Sequence, residues 1–266
     1  MTNWSFEGGS SHRGFNLNGG LGAPSGTNSK TGWNALTASL TVGGWFIFTA
    51  KPGAFSRQMY DVGIGGAGAE KVIVENIYYD AQSDGQRYRQ QPVHCPIYIP
   101  TGTRVSYRYQ SNTVSTDSAC HLSIVPVSSW MAERKLSRAK SFGANTGSTI
   151  GTDIDPGGSI GTYGSWTNVG STTTNSIRAL IACIGRSDNT TLTECDWIVQ
   201  VGWGSTAQQV VEFTVVGNSL EDFATSGING PFPVNIPAGE QIKVRAKCSI
   251  NDATDRIFDI VLLGFS

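Results

Sequence analysis

The sequence is short of charge, of histidine and of long apolar runs, and each shortage excludes a class of function. Asp, Glu, Lys and Arg make up 15% of the 266 residues, and the net charge is -1. A nucleic-acid partner needs a face rich in Lys and Arg, which 19 basic residues offset by 20 acidic ones do not supply. No apolar stretch approaches the ~20 residues of a membrane helix, so no membrane partner is expected. The opening Met1-Thr2-Asn3-Trp4-Ser5-Phe6-Glu7 lacks the basic head and apolar core of a secretion signal. The chain therefore reads as a soluble protein made in the cytoplasm.

Five cysteines (Cys95, Cys120, Cys183, Cys195 and Cys248) form no C-x-x-C pair, and their number is odd. Neither a disulfide framework nor a zinc site is expected, and they read as small buried hydrophobes. The only histidines are His12, His94 and His121, with no His-x-x-x-His pair, so neither a metal site nor a general base is expected. Gly63-x-Gly65-x-x-Gly68 matches a dinucleotide fingerprint. That fingerprint needs a helix after it, and Val72-Ile73-Val74 has strand chemistry instead. Gly157-Gly158-Ser159-Ile160-Gly161 matches a nucleophile elbow without the flanking strand and helix the elbow requires. Asp153, Asp155, Asp252 and Asp255 lack the spacing of a calcium loop and read as turn formers. No cofactor is expected.

What the sequence does have is a repeat. Val62-Gly63-Ile64-Gly65 is matched by Val201-Gly202-Trp203-Gly204, 139 residues later. Pro96-Ile97-Tyr98-Ile99-Pro100-Thr101-Gly102 is matched by Pro233-Val234-Asn235-Ile236-Pro237-Ala238-Gly239, 137 residues later. Between these marks lie short β-branched and aromatic runs bounded by Gly, Pro and Asp. Turn signals every 8–12 residues with short strands between them indicate antiparallel sandwiches. No strand-then-helix alternation appears, so the fold class is all-β, with two tandem jelly-roll-like β-sandwiches related by internal duplication.

The expected organisation is an extended Gly/Ser-rich arm over 1–30, a sandwich over 31–129, a linker over 130–165 and a second sandwich over 166–266. Residues 130–141 are the one plausible helix. Gly161 to Trp166 resembles the approach to Trp33, so each copy reads as an arm followed by a sandwich. An arm gains affinity only by burying apolar side chains, because ordering costs about 1–2 kcal/mol per residue. The candidate assembly anchors are Trp4, Phe6, Phe15, Leu17, Leu21, Trp130 and Trp166. Trp45, Trp197 and Trp203 lie in apolar runs and are expected in the core or an interface.

The arm Gly8–Gly22, the two V-G-x-G segments and the two Ile-Pro-x-Gly turns together resemble structural proteins of tailed-phage virions. These include head decoration, fibre and tail-associated proteins built on jelly-roll-like domains. The resemblance implies symmetric assembly with copies of itself and other virion proteins, location in the virion, no catalysis and no cofactor. Two other readings compete. One is a receptor- or carbohydrate-binding module, with aromatics on loops. The other is a hydrolase on a β scaffold, for which Glu70, Glu75, Glu194, Glu212 and Asp259 are the candidate acids.

Overall fold

The computed structural model describes residues 15–52, 56–81, 92–114, 118–126, 136–187, 195–218, 222–223, 227–251 and 256–266. Among these residues the regular structure is all strand. The first half contributes β1 (Phe15–Leu21), β2 (Asn34–Thr37), β3 (Gly44–Lys51), β4 (Ser56–Ile64), β5 (Lys71–Ala81), β6 (Val93–Ile99), β7 (Val105–Ser111) and β8 (Ser118–Val125). Three short strands follow, β9 (Ala139–Phe142), β10 (Thr152–Ile154) and β11 (Thr167–Asn168). The second half contributes β12 (Ile177–Arg186), β13 (Asp196–Trp203), β14 (Gln208–Asn218), β15 (Asp222–Phe223), β16 (Ile228–Ile236), β17 (Ile242–Cys248) and β18 (Phe258–Phe265).

Three sheets result. One has the order β1-β8-β3-β6, one β11-β17-β13-β14-β15, and the largest β16-β12-β18-β9-β5-β4-β7-β2, with β10 also on β18. Alternation puts one face of each outer sheet inward. Phe46, Phe48, Leu122 and Ile124 are buried between exposed or half-buried neighbours, as are Val244 and Ala246 on the other side, where Val199 and Val201 are buried too. The all-β sandwich architecture is thus the one that the alternating patterns predict.

The two sandwiches share a wall. On β12, Ala179, Ile181 and Cys183 enter the first core, while Leu180, Ala182 and Ile184 enter the second. On β18, Val261, Leu263 and Phe265 enter the first, while Phe258, Ile260 and Leu262 enter the second. A strand covered on both faces has no need of polar alternation. That explains the near-continuous apolar run of β18 and the burial of all eight of its residues. At about 25 cal/mol per Å² of apolar surface, neither core can lose this wall without losing much of its driving force.

Two expectations change. The segment expected as a helix over 130–141 ends in a strand. Ala139–Phe142 is β9, pairing antiparallel with β18 and touching β5 in parallel at Val74↔Ala139. Residues 130–135 of that segment lie outside the described residues. Ala139 fills the first core and Phe142 the second, and this tertiary demand overrides a charge pattern that reads as helical. The arm also changes: residues 15–21 are β1, paired along their length with β8 of the same chain, Phe15↔Ile124 through Leu21↔Ser118.

Candidate functional site

The segments read as arms are straps along sheet edges. In the first half, Asn28 N–H donates to Ser111 O, Thr31 N–H to Tyr109 O and Leu40 N–H to Thr103 O, with Asn34↔Tyr107 between them. In the second, Gly161 N–H donates to Cys248 O, Gly164 N–H to Ala246 O and Val169 N–H to Ile242 O, with Thr167↔Val244 between them. Each strap extends an antiparallel ladder on β7 or β17, so its backbone groups find partners within the chain.

A tryptophan pins each strap. The Trp33 ring lies where a Cβ on Gly63 would sit, 2.7 Å from Trp33 Cη2, and the Trp166 ring covers Gly202 in the same way at 3.0 Å. This is what the repeated V-G-x-G segment supplies: a bare backbone that an indole can approach closely. An arginine then caps each ring. Arg108 stands 4.5 Å from the centre of Trp33, and Arg245 stands 4.4 Å from Trp166. Arg245 also lies 4.6 Å from Tyr163, and Lys247 Nζ 4.8 Å from the same ring. Arg108 Nε donates to Asp61 Oδ2 and Arg245 Nε to Gln200 Oε1, both at 2.8 Å. Asp61 and Gln200 stand two residues before Gly63 and Gly202, so the two clusters occupy the same places in the repeat.

The charge differs between the two. Asp61 also accepts from Lys30 Nζ at 2.8 Å and from the Asn76 amide at 2.9 Å. Burial pulls the Lys30 ammonium below the usual lysine range, opposed by Asp61. In the second cluster Glu212 accepts from Gln200 Nε2 at 2.6 Å and from Tyr163 Oη at 2.8 Å, which hold its carboxyl below the usual range. Burial and the Glu212 carboxylate push the Tyr163 phenol up to about 12. Both clusters are internal fasteners.

The structure distributes the predicted anchors as follows. Trp166 packs on its own chain. Leu17 is in the first core at 5% exposure. Phe15 and Leu21 are the ends of β1. Trp4, Phe6 and Trp130 lie outside the described residues. Leu17 thus contributes to its own chain's core, and the half-buried Trp166 packs on Gly202 and Arg245 of its own chain. Trp197 is fully buried, and its Nε1 donates to Arg256 O at 2.9 Å, while Trp45 and Trp203 are half-buried.

The candidate acids are mostly engaged. Glu70 accepts from Arg104 Nη1 at 2.8 Å. Burial pushes its carboxyl up, but the Glu70 and Gly68 amides and Arg104 outweigh that and hold it below the usual range. Glu75 pairs with Arg138 at 3.0 Å and accepts from the Ser141 amide. Glu194 lies outside the described residues. Asp259 is fully buried on β18, opposite Asp153 on β10. Its Oδ2 accepts from the Gly151 amide at 3.1 Å and from Tyr78 Oη at 3.5 Å, and its Oδ1 has no partner. Burial first, then the neighbouring Asp153, push its carboxyl up to about 8.

Cys95, Cys120, Cys183, Cys195 and Cys248 are all buried free thiols. Among the described residues no three His, Cys, Asp or Glu side chains converge to hold a metal. The G-x-G-x-x-G stretch is the turn from β4 into β5, and the elbow-like Gly157–Gly161 belongs to the second strap. His12 lies outside the described residues and His94 is exposed. Sequence reasoning singled out His121 but not its partners. Its Nε2 lies 2.9 Å from Ser123 Oγ and its Nδ1 2.5 Å from Asn18 Oδ1, and burial lowers its pKa. The i, i+2 spacing of His121 and Ser123 on one strand face was the available signal.

No protein-family model matches the chain, and no curated protein does. Among solved structures, the N-glycanase F (PNGase F) is similar at 10% identity and a TM-score of 0.39, covering 94% of this chain and 95% of that one. The structure of PNGF-II matches at 9% identity and a TM-score of 0.35, covering 94% of this chain, which spans 65% of that one. The CBM22-1-CBM22-2 tandem domain of Paenibacillus barcinonensis Xyn10C matches at 9% identity and a TM-score of 0.28, covering 98% and 96%. These likenesses carry nothing about fold or chemistry.

Proposed function

We propose that this chain is a non-enzymatic structural protein, a rigid β-body that assembles symmetrically with copies of itself and with other proteins of a tailed-phage virion, on the head or the tail. The observation that supports this most is the shared wall. Because β12 and β18 serve both cores, the two halves cannot hinge about a linker, which suits a part that must hold its shape within a larger particle. A second observation supports the absence of catalysis. Glu70, Glu75 and Glu212 spend their charge on structural partners, and Asp259 is sealed inside. The virion setting rests on the sequence resemblance.

Because the strap residues described pack on their own chain, assembly runs through the body surfaces. Native mass spectrometry at micromolar concentration is the test. A closed oligomer of defined stoichiometry is expected. A monomer at every concentration, together with turnover in an ester and glycoside screen, overturns the proposal.

A further inference from the structure

The outward face of the β1-β8-β3-β6 sheet differs from the other two outer faces. Charged side chains gather where the straps lie: Lys30, Asp61 and Arg108 beside the first, and Arg245, Lys247 and Glu212 beside the second. On the four-stranded sheet, the outward positions of the three strands β3, β6 and β8 are neutral, aliphatic, aromatic or histidine, apart from Lys51 at the strand end. Trp45 on β3 lies beside Val125, which is 40% exposed. Trp33 and Trp166 are capped by arginine and Trp197 is sealed in the core. The half-buried Trp45 indole has no ring, cation or hydrogen-bond partner among the described residues.

One two-residue step along the strands, about 7 Å, separates the Trp45 row from the row of Ile47 and Ser123. Ser123 leads to the hydrogen-bonded series Ser123–His121–Asn18. Asn18 Oδ1 accepts from Nδ1–H of His121, which leaves Nε2 to accept from Ser123 Oγ–H. The order is that of a nucleophile, a base and an orienting group. However, β8 is an interior strand, so its amides are spent in ladders to β1 and β3 and none is left to hold an oxyanion. The series instead holds two uncharged groups, the Ser123 hydroxyl and the Asn18 amide, in place through His121, on the same face as the half-buried Trp45 indole.

We propose that this face binds a neutral glycan, with one sugar ring lying on Trp45 and the hydroxyls of the next meeting Ser123 and Asn18, which His121 holds in place. Apolar contact with a few fixed polar groups is the usual composition of a small-molecule site. A face without charge attracts neither nucleic acid nor an anionic surface. The proposal does not depend on the structural role argued above, because the site stands on one sheet of the body.

The test is a printed array of neutral glycans, followed by calorimetric titration of the best neutral oligosaccharide into wild-type protein, Trp45→Ala, Trp45→Phe and His121→Ala. Thermal melts confirm that each variant is folded, and Trp166→Phe serves as a control away from the face. Binding by wild type, a loss of at least tenfold in Trp45→Ala and His121→Ala, and retention in Trp45→Phe and Trp166→Phe are expected. Binding to no neutral glycan overturns the proposal, as does binding indifferent to Trp45 and His121. A stable dimer that falls apart in Trp45→Ala also overturns it, in favour of a second copy as the occupant of this face.

Discussion

The guanidinium of Arg245 lies 4.4 Å from the centre of the Trp166 ring, and at the equivalent place in the other half Arg108 lies 4.5 Å from Trp33. Each ring rests on a glycine near the end of a later strand, Gly63 on β4 or Gly202 on β13, so strap, indole and arginine form one fastener used twice. Trp166→Ala is expected to lower stability by about 2 kcal/mol, less than a fully buried aromatic because the ring is half-buried. Trp33→Ala should cost a similar amount. A double-mutant cycle with Arg245→Ala is expected to return a coupling of roughly 0.5–1 kcal/mol. Denaturant unfolding of the four proteins measures it.

Gly63 tests the seat of the ring. A Cβ there would stand 2.7 Å from Trp33, so Gly63→Ala must lift the indole from the sheet. Tryptophan fluorescence should shift to the red and the melting temperature should fall, by an amount comparable to Trp33→Ala. An unchanged spectrum would mean the ring does not lie there.

Ala207 sits at a φ of +51°, in the place that Gly68 fills at +79° in the first half. A left-handed conformation costs an L-residue roughly 1–2 kcal/mol, of which the greater freedom of unfolded glycine gives back part. Ala207→Gly is therefore expected to stabilise the chain by roughly 0.5–1 kcal/mol, and Gly68→Ala to destabilise it. Denaturation midpoints decide the sign.

Asp259 makes stability depend on pH. Its folded carboxyl titrates at about 8 against 3.8 for an ordinary Asp, so the folded state holds a proton that the unfolded state releases. Its contribution is fully present below the ordinary value and is lost as pH rises toward 8, at no more than about 1.4 kcal/mol per pH unit. Asp259→Asn, which mimics the protonated form, should flatten this slope and exceed wild type in stability at pH 8. Equal slopes from pH 5 to pH 8 would contradict the assignment.

Much of this architecture is legible in the sequence, and the reason differs by element. The alternation in β8 and β17, the short apolar run of β3 and the β-branched run of β5 identify strands because one face of each is wet or the composition admits nothing else. The V-G-x-G repeat points to two equivalent hairpins. The straps were not legible. Their Gly, Ser and Asn content reads as an arm seeking a neighbour, and only the ladder on β7 and β17 reveals that the neighbour is the same chain. Nor was β9, whose four residues are held by contacts more than a hundred positions away, Phe142 with Leu262 and Ala139 with Phe265. The His121–Ser123–Asn18 series was hidden because Asn18 and His121 meet only across the β1–β8 register.

Leu262 and Leu263 are adjacent on β18 and enter opposite cores. Calorimetry of the intact chain and of Leu262→Ala and Leu263→Ala therefore reads directly whether one body or two is present. A single transition, with calorimetric and van't Hoff enthalpies equal and lowered as a whole by either substitution, is predicted. Two resolved transitions, each moved by only one of the two substitutions, would contradict the shared wall and with it the rigid body on which the proposed role rests.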